Sequence, residues 1–228
     1  MRRRWRLRAA TRPARRRASP PLSAMKETSF AYRDKRGFLL LLTFRFSIIS
    51  SQSGSDEVFS VEIWDLYNER RELTGRDHAR GEAIPDGYYH LVVHVWIRNS
   101  RGEYLISQRS ADRPTHPLKW ECVGGSVLKG EDSLSGALRE TKEEVGLSLS
   151  RNDGKLVRSV VGRIINGVVY SDIVDVWLFE YDGSVDLRAA TTKEVAQTIW
   201  LKKPAIKELF DHGELVDTLG YFFDLKTE

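Results

Sequence analysis

Three glutamates stand close together in the stretch GSVLKGEDSLSGALRETKEEVGL, which runs from residue 125 to residue 147. Glu140, Glu143 and Glu144 fall within five positions, and the surrounding apolar residues have helical spacing. Residues three and four apart are neighbours on a helix, so these carboxylates repel each other unless a cation lies between them. Their hard oxygen atoms suit Mg²⁺ or Mn²⁺ better than a soft metal. The spacing therefore indicates chemistry that depends on a divalent cation.

An ordinary solvated helix face is the alternative interpretation of the same glutamates. Arg139 and Lys142 would then be ion-pair partners on the surface of the helix. The residues before the helix favour the metal site, because Gly124 and Gly125 let the backbone come close to a ligand.

The whole stretch resembles the Nudix box. That pattern is a glycine, five residues, a glutamate, seven residues and then R-E-U-x-E-E-x-G-U, where U is a bulky aliphatic residue. The chain matches it at every required spacing with Gly125, Glu131, Arg139, Glu140, Glu143, Glu144, Gly146 and Leu147. Only Thr141 departs, standing where an aliphatic residue is expected, and this departure concerns helix packing. A pattern of this length is far more specific than a lone glycine motif.

The resemblance implies both a fold and an activity. The fold is α/β (α+β), an α/β/α sandwich with a mixed β-sheet between helices. The activity is Mg²⁺-dependent or Mn²⁺-dependent hydrolysis of a diphosphate linkage in a nucleoside diphosphate-X or a related small-molecule diphosphate. The implied metal ligands are Glu140, Glu143, Glu144 and the carbonyl of Gly125. Glu131 and Arg139 would brace the loop and the helix with an ion pair.

Glu194 is a further candidate catalytic residue beside Glu143 and Glu144. It lies six residues before Trp200 in TTKEVAQTIWL. In some proteins of the resembled family, a glutamate at a similar distance before the late strand's tryptophan is a metal ligand or the general base. A surface glutamate at the start of a strand is the ordinary alternative.

Segments outside the box resemble the subgroup related to type I isopentenyl-diphosphate isomerase, over about residues 61–225. They are EIWDLYNERRELTG, HLVVHVW and SQRSADRPTHPLKW. That isomerase uses a Cys-x-His element just before its metal helix, but Gly124 and Ser126 occupy those two positions here. Cys122 lies two residues upstream of Gly124, and we interpret it as a small buried residue.

Other isomerase positions are only partly kept. His90 matches one metal ligand, but Ala83 stands where a second histidine is expected. Asp172 matches a late acidic position, while Tyr170 replaces another. The box is complete in contrast, so hydrolysis is favoured. An isomerase-like enzyme and a non-catalytic ligand-binding domain are the alternatives.

Basic residues concentrate in the first 57 of the 228 residues. This leader carries 14 of the 36 Lys and Arg, whereas residues 58–228 carry 22 basic and 28 acidic side chains, a net charge of about −6. The pI of about 9.2 therefore reflects the leader. We expect the partner to be a small-molecule diphosphate and not a nucleic acid. The sequence does not decide whether the chain forms a homodimer.

The leader is expected to be disordered, and its composition fits an organellar transit peptide as well as a start codon assigned too far upstream. The apolar run from Phe38 to Ile49 contains Arg45 and is about half the length of ~20 residues that spans a bilayer, so no membrane anchor is expected. Cys122 is the only cysteine, which fits a reducing compartment. We expect the cytoplasm, with organellar import as the alternative.

Alternating patterns after Val58 predict the elements that must position the candidate residues. They indicate a strand, a turn and a returning strand in VEIWDLYNERRELTG, a hairpin in HLVVHVWIRNSRGEYLISQRS and a loop in RSADRPTHPLKWECVGG. The acidic helix should begin at Asp132 or Ser133 and end at Gly146. Two strands in VVGRIINGVVYSDIVDVWLFEYDG, a short edge strand in TIWL and a terminal helix in AIKELFDHG complete one domain, residues 58–228.

The leader generates the first testable prediction. Its composition cannot build a core, so residues 1–57 should be dispensable for folding and catalysis. A chain that begins at Val58 is expected to unfold at the same temperature as the full chain and to keep its specific activity, measured by circular dichroism and by phosphate release. A shortened chain that does not fold would show that the leader is structural.

Overall fold

The computed structural model describes residues 27–33, 39–45 and 61–226. The chain divides into two units, Met1–Val58 and Phe59–Glu228. In the first unit, β1 (Glu27–Arg33) pairs antiparallel with β2 (Leu39–Arg45). The rest of the predicted leader lies outside the described residues, so its disorder stays a prediction. No helix among the described residues is long and apolar enough to cross a membrane.

The described part of the second unit contains two α-helices and eleven strands. In chain order these elements are β3 (Ile63–Tyr67), β4 (Leu73–Ala79), β5 (Tyr89–Arg98), β6 (Glu103–Arg109), β7 (Trp120–Glu121), β8 (Val123–Ser126), α1 (Ser133–Val145), β9 (Lys155–Val161), β10 (Ile164–Ile165), β11 (Val168–Val169), β12 (Asp172–Glu180), β13 (Val195–Lys202) and α2 (Lys203–Asp211). Short 3-10 helices cover Arg151–Asp153, Leu187–Ala189 and Asp217–Asp224.

A mixed sheet forms the centre of the second unit. The strand order along its main path is β13-β6-β5-β12-β9. β5 and β12 run parallel, and the other neighbours on this path are antiparallel. Opposite β12, successive parts of β5 pair with β3, β8 and β6. The long strand β5 therefore holds the edge strand β8, which leads into α1, against the centre of the sheet.

Side chains of β5 alternate between two hydrophobic cores. Leu91, Val93, Val95 and Ile97 share one core with Ala137 and Val145 of α1. Trp96 belongs to the other core, with Ile206 of α2 and Phe222 of the last 3-10 helix. Because strand residues alternate in direction, these two cores lie on opposite faces of the sheet. The predicted α+β sandwich, with a mixed sheet between helices, is confirmed.

Several element predictions were wrong in detail. The predicted loop before α1 contains β7 and β8, and β8 pairs closely with β5 because Gly124 has no side chain: a Cβ there would lie 2.4 Å from the Val93 carbonyl oxygen. The segment expected to form two strands forms four, because Asn166 and Gly167 adopt positive φ and close the β10–β11 hairpin. The TIWL strand extends over all of β13, and a 3-10 helix follows α2.

Candidate functional site

The acidic helix α1 begins and ends where the sequence predicts. The side chain of Asp132 caps its first turn by accepting a hydrogen bond of 2.6 Å from the Ser135 amide. Gly146 ends the helix in the left-handed conformation with φ of 73°. A Cβ at Gly146 would also lie 2.8 Å from the backbone of Ala189, so both conformation and space favour glycine.

A cavity of about 180 Å³ brings the candidate catalytic residues together. We call it the acidic cavity. It is lined by Glu62, Arg80, Val92, Arg113, Gly124, Gly125, Ser126, Glu140, Glu143, Glu144, Thr192 and Glu194. All of the predicted metal ligands and all of the predicted catalytic residues are therefore neighbours in the structure. Glu131 and Arg139 lie directly behind them.

Arg139 connects the glutamates of the box. Its Nε donates to Glu131 at 2.9 Å, and its Nη1 donates to Glu140 at 2.8 Å and to Glu143 at 2.9 Å. Its Nη2 donates to the carbonyl oxygen of Ser126 at 2.8 Å. One guanidinium group thus ties the loop that precedes the helix to the acidic face of the helix.

Glu144 lies in a different environment from its neighbours. It is only 5% exposed, and it forms no ion pair with the described residues. Among the described residues its carboxylate accepts one hydrogen bond, from the Gly124 amide, which is long at 3.4 Å. Burial, together with the carboxylates of Glu121, Glu140 and Glu194, raises the pKa of Glu144 well above its ordinary value.

Burial also raises the pKa of Glu140 to about 7, although the Arg139 guanidinium opposes this shift. Gly125 explains how this carboxylate fits against β8. A Cβ at Gly125 would lie 2.3 Å from Oε1 of Glu140, so the Glu140 carboxylate occupies space that a side chain at residue 125 would need. The absent side chain also keeps the backbone of β8 within reach of a ligand in the cavity.

Thr141 shows why the departure from the box is tolerated. The residue is fully buried, and its hydroxyl donates a hydrogen bond of 2.8 Å to the Ala137 carbonyl oxygen one turn earlier. A buried hydroxyl that finds an acceptor in its own helix does not leave a polar group unpaired. The threonine therefore serves the packing role of the expected aliphatic residue.

Glu194 reaches the cavity because its loop is attached to α1. The amides of Thr191 and Thr192 both donate to the Glu143 carbonyl oxygen, at 3.0 and 3.1 Å, where the helix has unpaired carbonyl groups. On the other side, the Ser110 amide donates to the carbonyl oxygen of Glu194 at 2.8 Å. These contacts place Glu194, which lies 49 positions after the end of the helix, beside the acidic face of the helix.

Two arginines of the acidic cavity were missed in the sequence. Arg113 forms an ion pair with Glu194, and its Nε is buried without a hydrogen-bond partner among the described residues. Arg80 forms a more exposed ion pair with Glu62 at 2.8 Å. Both come from segments distant from the box, so no spacing pattern indicated them.

The residues of the isomerase comparison have structural contacts instead. Cys122 is buried in the core beside α2, and burial raises the pKa of its thiol. The ring of His90 stacks on Trp64 with centroids 4.3 Å apart. Asp172 is held by Arg163, whose Nη2 lies 2.5 Å from its carboxylate. Cys122, His90 and Asp172 are not among the residues that line the acidic cavity.

The residues that line the acidic cavity fit a divalent cation once two glutamate side chains change position. Glu140, Glu143, Glu144 and the Gly125 backbone supply hard oxygen ligands around one cavity, and Glu144 lacks a positive partner among the described residues. No three His, Cys, Asp or Glu side chains in the described part of the chain are already gathered as a metal-binding group. Glu140 and Glu143 both accept hydrogen bonds from Arg139, so these side chains would have to turn from Arg139 to bind a metal.

Comparisons with known proteins agree with this geometry. The family model of the NUDIX domain matches residues 88–219. An uncharacterized Nudix hydrolase of Listeria innocua is 36% identical over 169 residues, which cover 73% of this chain and 96% of the relative. Another, from Listeria monocytogenes, is 35% identical over 72% of this chain and 91% of the relative.

A solved structure supports the same fold. The crystal structure of DR0079 from Deinococcus radiodurans superimposes with a TM-score of 0.54 and 24% identity, over 72% of this chain and 96% of that protein. The match of the NUDIX family model and the identity to the Listeria relatives show that the chain belongs to the Nudix family. The predicted class, a hydrolase acting on diphosphate bonds, is confirmed. These matches give no support to the isomerase-like subgroup.

The environment of Glu144 generates a prediction about stability. Because its pKa is raised in the folded state, the ionised carboxylate is disfavoured there, and folding stability falls as pH rises above the ordinary carboxyl pKa of about 4.3. Glu144→Gln removes this penalty. In excess chelator the variant should therefore unfold at a higher temperature than the wild type near pH 8, with a smaller difference near pH 5.

Thermal unfolding across this pH range provides the measurement. Glu143→Gln is the matched control, because Glu143 is 35% exposed and is paired with Arg139, so its substitution should not stabilise the protein. A Glu144→Gln variant that is less stable than the wild type at every pH would contradict the interpretation.

Proposed function

We propose that the protein hydrolyses a diphosphate linkage in a nucleoside diphosphate-X or a related small-molecule diphosphate, with Mg²⁺ or Mn²⁺ as cofactor. The observation that carries this proposal is the position of Glu144. A buried carboxylate without a positive partner, next to Glu140 in the same cavity, costs folding free energy. A cation bound in the cavity would offset this cost, which gives a reason for a carboxylate at this buried position.

The metal would be held by Glu140, Glu143 and Glu144, with the carbonyl oxygen of Gly125 as a further ligand. When bound, a divalent cation lowers the pKa of water and neutralises charge on diphosphate oxygens. Arg139 keeps the acidic face of α1 in place through Glu131 and the Ser126 carbonyl while Glu140 and Glu143 change partners.

Glu194 is the proposed general base. Its carboxylate lines the acidic cavity beside the glutamates of α1, where it can accept a proton from the attacking water. In the structure Arg113 is paired with this carboxylate. A diphosphate group in the cavity offers Arg113 another anionic partner, and such an exchange would leave Glu194 free to act.

Arg80 and Arg113 are the proposed contacts for the diphosphate oxygens. Guanidinium groups bind phosphate oxygens with charge-assisted hydrogen bonds, often through two N–H groups at once. The unpaired Nε of Arg113 provides one donor that the protein does not use within its described residues. Both side chains lie in the same cavity as the glutamates, so they can hold the substrate close to the metal ligands.

Two alternatives receive less support. For an isomerase, the buried Cys122 is the only thiol in the chain, and it is packed in the core and lies outside the lining of the acidic cavity. For a non-catalytic binding domain, the complete set of glutamates has no evident use, because binding alone does not require an activated water. The chemistry of the cavity therefore favours hydrolysis.

Substitution of the proposed metal ligands is the direct test in solution. Glu143→Gln and Glu144→Gln should each lower kcat/KM by about 10²-fold or more, which corresponds to about 3 kcal/mol of transition-state stabilisation. The assay is Mg²⁺-dependent release of monophosphate or phosphate from a panel of small-molecule diphosphates.

Glu180→Gln is a control on the same protein, because Glu180 forms a surface ion pair with Arg98 away from the cavity. It should retain wild-type activity. Turnover by the wild type in excess chelator, or full activity in both cavity variants, would contradict the proposed mechanism.

A further inference from the structure

The β3–β4 hairpin lies before residues 88–219, the part of the chain that the NUDIX family model matches. Its two strands pair antiparallel, and Glu62 and Arg80 at its open end line the acidic cavity. The backbone joins these two residues, because the Arg80 amide donates to the Glu62 carbonyl oxygen at 2.9 Å. The hairpin is therefore part of the candidate site, although the family model does not cover it.

Two contacts fix the hairpin to the central sheet. Arg71, which lies between β3 and β4, donates to both carboxylate oxygens of Asp175 at 2.7 and 2.9 Å, and Asp175 is only 1% exposed. Trp64 of β3 is buried, and its ring stacks on His90 of β5. A pair of hydrogen bonds to a buried carboxylate and a ring stack both restrict movement. β3 is therefore a rigid support for the segment beside it.

The segment beside β3 is residues 127–131, which lie between β8 and α1 and which we call the box loop. The Lys129 amide donates to the Ile63 carbonyl oxygen at 2.8 Å. The Gly130 amide donates to the carboxylate of Asp65 at 2.7 Å. A hydrogen bond to a carboxylate is stronger than one between neutral groups. Asp65 therefore supplies a strong side-chain contact between the hairpin and the box loop.

The box loop in turn fixes Glu131. The Leu128 amide donates to the Glu131 carboxylate at 3.0 Å, and the Glu131 amide donates to the Leu128 carbonyl oxygen at 3.0 Å. The same carboxylate accepts a hydrogen bond of 2.9 Å from Nε of Arg139. Direct contacts therefore connect Asp65 to Arg139 through the box loop.

Arg139 would compete with a metal for two of the proposed ligands. It donates to Glu140 and Glu143, and both side chains would have to turn away from it to bind a cation. Arg139 would then keep Glu131 and the Ser126 carbonyl oxygen among its described partners. A firmly placed Glu131 favours this state, because it gives the guanidinium a carboxylate partner that the metal does not use. A loose box loop would leave Arg139 paired with the metal ligands more of the time.

We propose that Asp65 is a positioning residue of the metal site. It fixes the box loop through the Gly130 amide, and the loop keeps Glu131 in place to hold Arg139 when the glutamates of α1 turn towards a cation. This inference rests on the proposed function, because it takes those glutamates as metal ligands. It extends the site to a hairpin outside the part of the chain that the family model matches.

Isothermal titration of the full chain with Mn²⁺ tests the effect of Asp65 on the metal site. Asp65→Ala removes the acceptor, and it should raise the dissociation constant for Mn²⁺ about three- to tenfold. This loss is smaller than the roughly 10- to 100-fold that is typical of residues bonded directly to a metal ligand, because Asp65 acts through the loop. Asp65→Asn keeps an oxygen acceptor for the Gly130 amide, so it should bind Mn²⁺ within about twofold of the wild type.

Asp77→Ala is the matched control, because it also removes a carboxylate of the hairpin that contacts the box loop. Asp77 is paired with Lys129, and their side chains are 50% and 52% exposed, so the pair contributes little. Mn²⁺ binding should be unchanged in this variant. Both alanine variants remove one negative charge, so their comparison separates the lost hydrogen bond from a general loss of attraction for cations.

Amide hydrogen exchange in excess chelator tests the first contact without a metal. The Gly130 amide should exchange about tenfold faster in Asp65→Ala than in the wild type, and near the wild-type rate in Asp65→Asn. Equal exchange in Asp65→Ala and the wild type would overturn the inference. So would Mn²⁺ binding that Asp65→Ala does not weaken, or that Asp65→Asn weakens as much.

The same measurements distinguish this inference from the proposed function. If the wild type binds no Mn²⁺, the proposed function fails, and the exchange data still decide whether Asp65 fixes the box loop. If the wild type binds Mn²⁺ and Asp65→Ala binds it equally well, the metal site stands and the role of Asp65 is wrong.

Discussion

The repulsion among the carboxylates of α1 is the constraint on which the rest of the site depends. Glu140 and Glu144 are largely buried and lie in one cavity with Glu143 and Glu194. Burial of like charges destabilises a fold unless a positive group or a metal compensates for it. Arg139 compensates for part of this repulsion, and Glu144 has no such partner among the described residues. Burial of Glu144 therefore carries a cost in stability, which a cation at the proposed metal site would offset.

The sheet makes this arrangement specific. β5 separates two hydrophobic cores, and it pairs with the two-glycine strand β8 that faces the acidic helix. The missing side chains of Gly124 and Gly125 permit both the close strand pairing and the approach of Glu140.

Local spacing was sufficient to predict the part of the site that lies on one helix. The positions of Asp132 and Gly146 predicted its ends, and the box predicted which glutamates of the helix share one cavity. Spacing along the sequence does not predict contacts between segments that are distant in the chain. Arg113 reaches the acidic cavity through a loop, and a second cavity combines β9, β12 and the last 3-10 helix. Asn166 and Gly167 have the composition of a tight turn, but they lie within a longer apolar pattern that predicts two strands.

Binding of Mn²⁺, followed by electron paramagnetic resonance, tests whether the buried carboxylates of α1 hold a metal, because it detects the cation itself and needs no substrate. We expect saturable binding to the wild type that is strongly weakened in Glu144→Gln and is unchanged in Glu180→Gln. Absence of saturable binding to the wild type, or equal binding to Glu144→Gln, would contradict the claim that these buried carboxylates are kept to hold a metal.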